Sequence, residues 1–273
     1  MIFPREFHLL SQEGNLAQNS LLSGIESLGK LNYDKTGTFY AAFFQLSIGL
    51  ERLMKIAVII DHKSKNDLRN PPGKQIRSLG HDLVAAYGVC KQLALDRRKN
   101  MSQWYEPDTA EHDVLVHLSQ FARGARYYNL DSFAERQDFQ DPVIQWASVH
   151  QRIADQYISG LRQEKINDLA IAHCDKWKMF GFERSITGEY RTQVDCTFMH
   201  ELFRQANKYC VWTIVRLLKP FYFLLDNLCD EVRKVEDTKG IDVYTVPDMH
   251  EFFPFMLCGM ATVTRRQKWV GIY

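Results

Sequence analysis

No Cys-x-x-Cys pair occurs among the six cysteines, which stand at irregular intervals at positions 90, 174, 196, 210, 229 and 258. Zinc-ribbon and thioredoxin-type signatures are thereby absent, and the thiols read as reduced, buried groups of a cytoplasmic protein. Charge of one sign is also lacking: Lys+Arg 34 against Asp+Glu 33 leaves a net charge of +1. With no global pull toward nucleic acid or acidic lipid, any basic binding surface must be local. Long uninterrupted apolar runs are missing as well. Phe39 to Ile60 is broken by Glu51, Arg52 and Lys55, and Val211 to Cys229 by Arg216, Lys219 and Asp226. Both read as buried helices rather than membrane spans, and the first fifteen residues lack a signal peptide's apolar stretch. Nor is there a Gly-rich phosphate loop, a His-Glu-x-x-His segment, a Gly-x-Ser-x-Gly elbow, an internal repeat or a low-complexity tract. The usual nucleotide-hydrolase, zinc-protease and esterase readings lose their support.

What is present is helical periodicity. Leu21, Leu22, Ile25 and Leu28 mark an amphipathic helix over about 16–31. A longer helix over about 39–62 is apolar nearly all round, as the central helix of a bundle is. The polar stretch 63–77, with its Pro-Pro-Gly break, predicts a long basic loop, and helical spacing resumes over 80–95. After a second break at 96–108, Asp108 and Glu111 resemble a capping box for the next helix, and Asp141-Pro142 starts another. Further helices are predicted over 166–177 and 197–235, the last kinked at Pro220. IDVYTV and QKWVGIY are β-branched and aromatic enough for two short strands near the C-terminus. The fold class expected is therefore mainly α. A soft boundary near 140 separates residues 1–140 from a helical region 141–273, which forms its own unit or packs as one with the first.

Three segments of the first half, taken in order, resemble the HEPN superfamily of helical domains. They are GLERLMKIAVII (Gly49 to Ile60), with Glu51 and Lys55 four residues apart; LGHDL (Leu79 to Leu83), similar to the family's His-Asp-Leu; and ARYYNLD (Ala125 to Asp131), similar to its closing Ala-Arg-Tyr. The resemblance covers roughly residues 16–135. It implies an up-and-down bundle, often a homodimer, and in many members a metal-independent endoribonuclease of a bacterial defence or toxin-type role. That activity uses an Arg and a His four to six residues apart near the domain's end. Here no histidine follows Arg123 and Arg126 until His150, so the pair is missing from its place.

The nearest substitute is Arg77 with His81, which would share one face if a single helix held both. Glu51 either pairs with Lys55 along its helix or, if buried, needs a partner such as Arg77 or Arg126. Arg77, His81 and Glu51 are thus the candidate catalytic residues, and Lys74, Arg97, Arg98, Arg123 and Arg126 the candidate RNA contacts, with Trp104 and Tyr105 near enough in sequence to stack a base. Charge runs in loops are more often simply solvated. His173, Cys174, Cys196 and His200 lack zinc-like spacing and read as packing residues, so neither a metal nor a cofactor is expected. The phenylalanines at 252, 253 and 255 with Phe221, Tyr222 and Phe223 read as core of the second half, the alternative being a partner groove. Two functions stay open: an RNA-directed, metal-independent endoribonuclease, or a non-catalytic helical module that binds a protein partner or small ligand.

Overall fold

The computed structural model describes residues 3–97, 103–134 and 139–271. Ten α-helices, three short 3-10 helices and one two-stranded antiparallel sheet make up its regular structure among those residues. The mainly α class expected from periodicity is what the chain adopts.

Two long helices form the first layer, α1 (Arg5–Leu28) and α2 (Gly37–Lys65). They cross closely because glycine stands at each contact. A Cβ on Gly24 would lie 2.9 Å from the backbone nitrogen of Leu46, and one on Gly49 would lie 3.0 Å from that of Leu21. Side-chain ridges of one helix therefore drop onto bare backbone of the other. The burial of Phe39, Phe43, Leu46, Leu50, Leu53 and Ala57 on α2 accounts for its nearly continuous apolar sequence.

Helices α3 (Gly73–Ser78), α4 (Leu83–Arg97) and α5 (Ala110–Arg123) follow. The loop expected over 63–77 is shorter than its sequence suggests, since α2 runs on to Lys65 and α3 forms after the Pro-Pro pair. Thr109, not Asp108, caps α5, accepting from the His112 N–H at 3.2 Å. After α6 (Tyr128–Phe133), helix α7 (Pro142–Tyr157) starts as expected: Asp141 accepts from the N–H groups of Val143 and Ile144, and Pro142 fills the first turn.

Helix α8 (Gly160–Trp177) leads into the hairpin β1 (Phe182–Arg184) and β2 (Tyr190–Thr192), and α9 (Gln193–Thr238) runs for 46 residues, continuing through Pro220. The strands thus lie ahead of α9 and not in the two C-terminal segments. IDVYTV is held instead by the buried Glu236 carboxylate, which accepts from the Thr245 N–H at 2.6 Å and hydroxyl at 2.7 Å, while Val246 inserts in the core. QKWVGIY lends Trp269 to the core as irregular chain up to Gly271, its last two residues lying outside the described ones. One buried apolar cluster extends from Leu10 to Trp269 and takes in α1, α2, α4, α5, α7 and α9 across position 140. Phe221, Phe253 and Phe255 belong to it, so the aromatic cluster is core.

Candidate functional site

Helix α4 begins in a way that fixes what precedes it. Asp82 accepts from the Ala85 N–H at 3.0 Å and from the Ser119 hydroxyl of α5 at 3.2 Å, and Ser119 in turn accepts from the Leu83 N–H at 3.0 Å. The Ala85 N–H holds the Asp82 carboxyl below the usual carboxylate range, with Ser119 and Arg123 adding to the effect and desolvation opposing it. Arg123 Nη1 lies 3.5 Å from Asp82 Oδ2. With α4, α5 and α2 so joined, the residue before Asp82 reaches α2: His81 Nδ1 lies 2.8 Å from Glu51 Oε2, and Lys55 Nζ lies 2.6 Å from Glu51 Oε1.

Glu51 is thus shared by a histidine and a lysine. Desolvation raises its carboxyl, but the hydrogen bonds and charges of Lys55 and His81 outweigh that and leave it below its ordinary value. The carboxylate can hold the imidazole with Nδ1–H toward itself, leaving Nε2 directed away from it on a side chain that is 61% exposed. A ring so oriented can accept or donate a proton at Nε2.

Arg77 does not join this group. Gly80 adopts φ +54° and its N–H closes on the Arg77 carbonyl at 3.0 Å, ending α3 before His81. The two residues therefore share no helix face, and the Arg77 guanidinium folds back toward Gly73, one turn earlier. The partners of Glu51 are His81 and Lys55 rather than Arg77 or Arg126. Arg123 meets Asp82, the residue that follows His81 in the chain.

The expected RNA surface is also redistributed. Arg97, only 6% exposed, bridges Asp61 at 2.6 Å and Glu231 at 2.7 Å, and so is withdrawn from any polyanion. Trp104 packs against Tyr87 and Phe221, and Tyr105 is buried beneath Arg216, which removes both as open stacking rings. Lys63 is likewise buried, donating to the Leu68 carbonyl. Lys74 is exposed on α3, and Arg126 lies 5.0 Å from the Tyr127 ring centre. Arg98 lies outside the described residues.

A second feature has no counterpart in the sequence reading. An open cleft of about 1310 Å³ lies between the α1–α2 turn, α8, the hairpin and the start of α9, lined by Tyr33, Asp34, Tyr40, Arg184, His200 and Arg204 among others. Its walls, which also include Asn129 and the start of α7 at Asp141, Val143 and Ile144, come from widely separated stretches of sequence, so no local pattern announces it. His200 Nδ1 lies 3.6 Å from Asp34 Oδ1 at its mouth. Cys196 shares the cleft, with its thiol pushed up to about 11 by burial and by the neighbouring Glu183. A thiol in that state is a packing group, not a nucleophile. No group of three or more potential metal ligands occurs among the described residues. Nor is any helix there long and apolar enough to cross a membrane.

Compared with protein-family models, with curated proteins and with solved structures, the chain matches none of them.

Proposed function

We propose that this chain is a HEPN-like, RNA-directed protein that cleaves phosphodiesters without a metal, with His81 as the proton-transfer group. The observation that carries the reading is the 2.8 Å contact between Glu51 and the exposed His81, with Lys55 bonded to the same carboxylate and Arg123 to the neighbouring Asp82. In this chemistry Glu51 holds the imidazole and Nε2 takes the proton of a ribose 2′-hydroxyl as its oxygen attacks phosphorus. The P–O5′ bond breaks, the departing oxygen takes a proton from Lys55 or water, and the products carry a 2′,3′-cyclic phosphate and a 5′-hydroxyl. Arg123 faces the charge that grows on the phosphoryl oxygens. The six free cysteines, five of them buried, suit a reducing cytoplasm.

The test is incubation of purified protein with end-labelled RNA in EDTA. Cleavage to cyclic-phosphate ends is expected, and His81→Ala should lower its rate by about 10²–10⁴-fold, the usual contribution of general acid–base catalysis. Folded wild-type protein that leaves all RNA intact, or a His81→Ala variant as active as wild type, refutes the reading. A homodimer setting two His81 regions across a groove belongs to the same proposal and is read by sedimentation.

The cleft favours a second reading, a binding module without catalysis. A ligand present at a hundredfold its Kd would raise stability by about 2.7 kcal/mol, which thermal-shift titration with nucleosides and small metabolites detects.

A further inference from the structure

Four aromatic side chains near the hairpin are left open to solvent: Trp177 at 63%, Phe180 at 75%, Phe182 at 74% and Tyr190 at 77% exposure. Their arrangement is ordered. Phe182 pairs with Thr192 and Arg184 with Tyr190 across the antiparallel ladder, so Phe182, Arg184, Tyr190 and Thr192 share one sheet face. Phe182 and Tyr190 occupy a diagonal of that face, about 7–8 Å apart. Glu183 and Arg191 project to the other face, where Glu183 accepts from Gln193 Nε2 at 3.1 Å and Arg191 pairs with Glu189 at 3.0 Å. The aromatic face therefore carries a cation and no acid.

Two further cations stand a few residues ahead of β1 in the chain. Lys176 stands 5.4 Å over the Trp177 ring and Lys178 follows it. Arg184 donates through Nε to the Gly188 carbonyl at 3.2 Å, and its guanidinium makes no ion pair with an acid among the described residues. Isolated two-stranded hairpins are marginal, and this one gains its support from α9, so its outer rings contribute little to holding it in place.

We infer that the Phe182–Tyr190 face, with Arg184 on it and Trp177, Lys176 and Lys178 a few residues ahead of it in the chain, is a stacking platform for single-stranded nucleic acid. Every base has a π-face that an exposed ring can take, and the cations meet the phosphates beside it. Charge complementarity chooses this occupant over a second copy. Arg184 lies beside Tyr190 on this face with no acid to offset it, and a twofold through the face would bring two Arg184 side chains together. The area agrees: four rings at these exposures present roughly 600 Å², below the about 800 Å² per partner of a stable protein interface. The platform is separate from the His81 group and does not depend on that group being catalytic.

Fluorescence polarisation of a labelled 2′-O-methyl oligouridylate, a probe without a free 2′-hydroxyl to attack, tests it at low salt. The Phe182→Ala/Tyr190→Ala double variant should bind at least about tenfold more weakly, from two lost stacking contacts. Arg184→Gln should make the log–log salt slope shallower by about 0.7, one phosphate contact. The probe cannot be cleaved at a 2′-hydroxyl, so a failure of the catalytic reading leaves this result standing. Equal binding by the double variant and wild type overturns the platform. No binding by wild-type protein overturns it as well, and self-association lost with the same two rings would then identify a second copy as the occupant.

Discussion

Replacing His117 with phenylalanine would remove a source of acid sensitivity from the centre of the bundle. The imidazole of His117 lies 4.5 Å from the Phe43 ring centre and 5.1 Å from that of Trp146, and neither ring nitrogen has a hydrogen-bond partner in the protein. Burial pushes its pKa down to about 3, so the ring is neutral in the native state at ordinary pH, whereas in the unfolded chain it titrates near 6.5. Between those values the unfolded chain binds a proton that the native state does not. Stability is therefore full above about pH 6.5 and falls as pH drops toward 3. At pH 5 the unfolded state gains RT ln(1 + 10^1.5), about 2 kcal/mol, and at pH 7.5 almost nothing. His150, also lowered to about 3 by burial, adds a comparable loss. Wild-type protein should lose about 4 kcal/mol from these two groups between pH 7.5 and 5.0, and His117→Phe about half of that. At pH 7.5 the variant should lie within about 2 kcal/mol of wild type, since losing an unpaired buried polar group is worth about 1–3 kcal/mol and the larger ring costs a similar amount in overpacking. Urea denaturation of both proteins at the two pH values reads the difference directly, with the other titrating groups cancelling. An equal loss on acidification in variant and wild type refutes a neutral, buried His117.

Two structural predictions accompany the tests of cleavage and of nucleic-acid binding described above. Gly24→Ala should destabilise by about 1–3 kcal/mol, because the added methyl meets the backbone of Leu46 and must push α1 from α2; a urea midpoint no lower than that of wild type contradicts the close crossing. Arg97→Met should cost about 3 kcal/mol or more, leaving Asp61 and Glu231 facing each other without their shared cation. If Arg97 were a nucleic-acid contact instead, the same substitution would weaken oligonucleotide binding with the urea midpoint unchanged.

The sequence reveals helices wherever burial repeats at helical spacing, and Asp141-Pro142 marks its helix start because both devices act locally. The strands were misplaced for a physical reason. Phe182 to Arg184 and Tyr190 to Thr192 are three residues each and largely exposed, so they show no alternation of burial, whereas the β-branched residues of IDVYTV serve to fill core and meet Glu236. In the candidate site the meeting of Glu51 with His81 is not legible locally, because Ser119, which ties α4 to α5 at that point, stands 36 residues after Leu83. Helical spacing sets Arg77 and His81 on one face because it counts residues and overlooks the left-handed Gly80 between them. Arg97 reads as a loop cation because its second acid, Glu231, lies 134 residues further along the chain.

These placements bear on how the two proposed sites would divide their work. At the His81 group each cation is matched by an acid, Lys55 by Glu51 and Arg123 by Asp82, so the local charge is close to zero. That arrangement suits proton transfer, where a carboxylate must orient the imidazole, but it offers a polyanion little attraction at long range. The hairpin has the opposite character, with Phe182, Tyr190 and Arg184 on one face, and its acids on the other, where Arg191 pairs with Glu189 and Gln193 donates to Glu183. If RNA is the substrate, affinity should follow the hairpin and rate should follow the dyad. Mutations at Phe182 and Tyr190 should then raise KM with kcat largely kept, and His81→Ala should lower kcat with KM largely kept. A single variant that moved both constants together from either place would argue that the two sites are not independent.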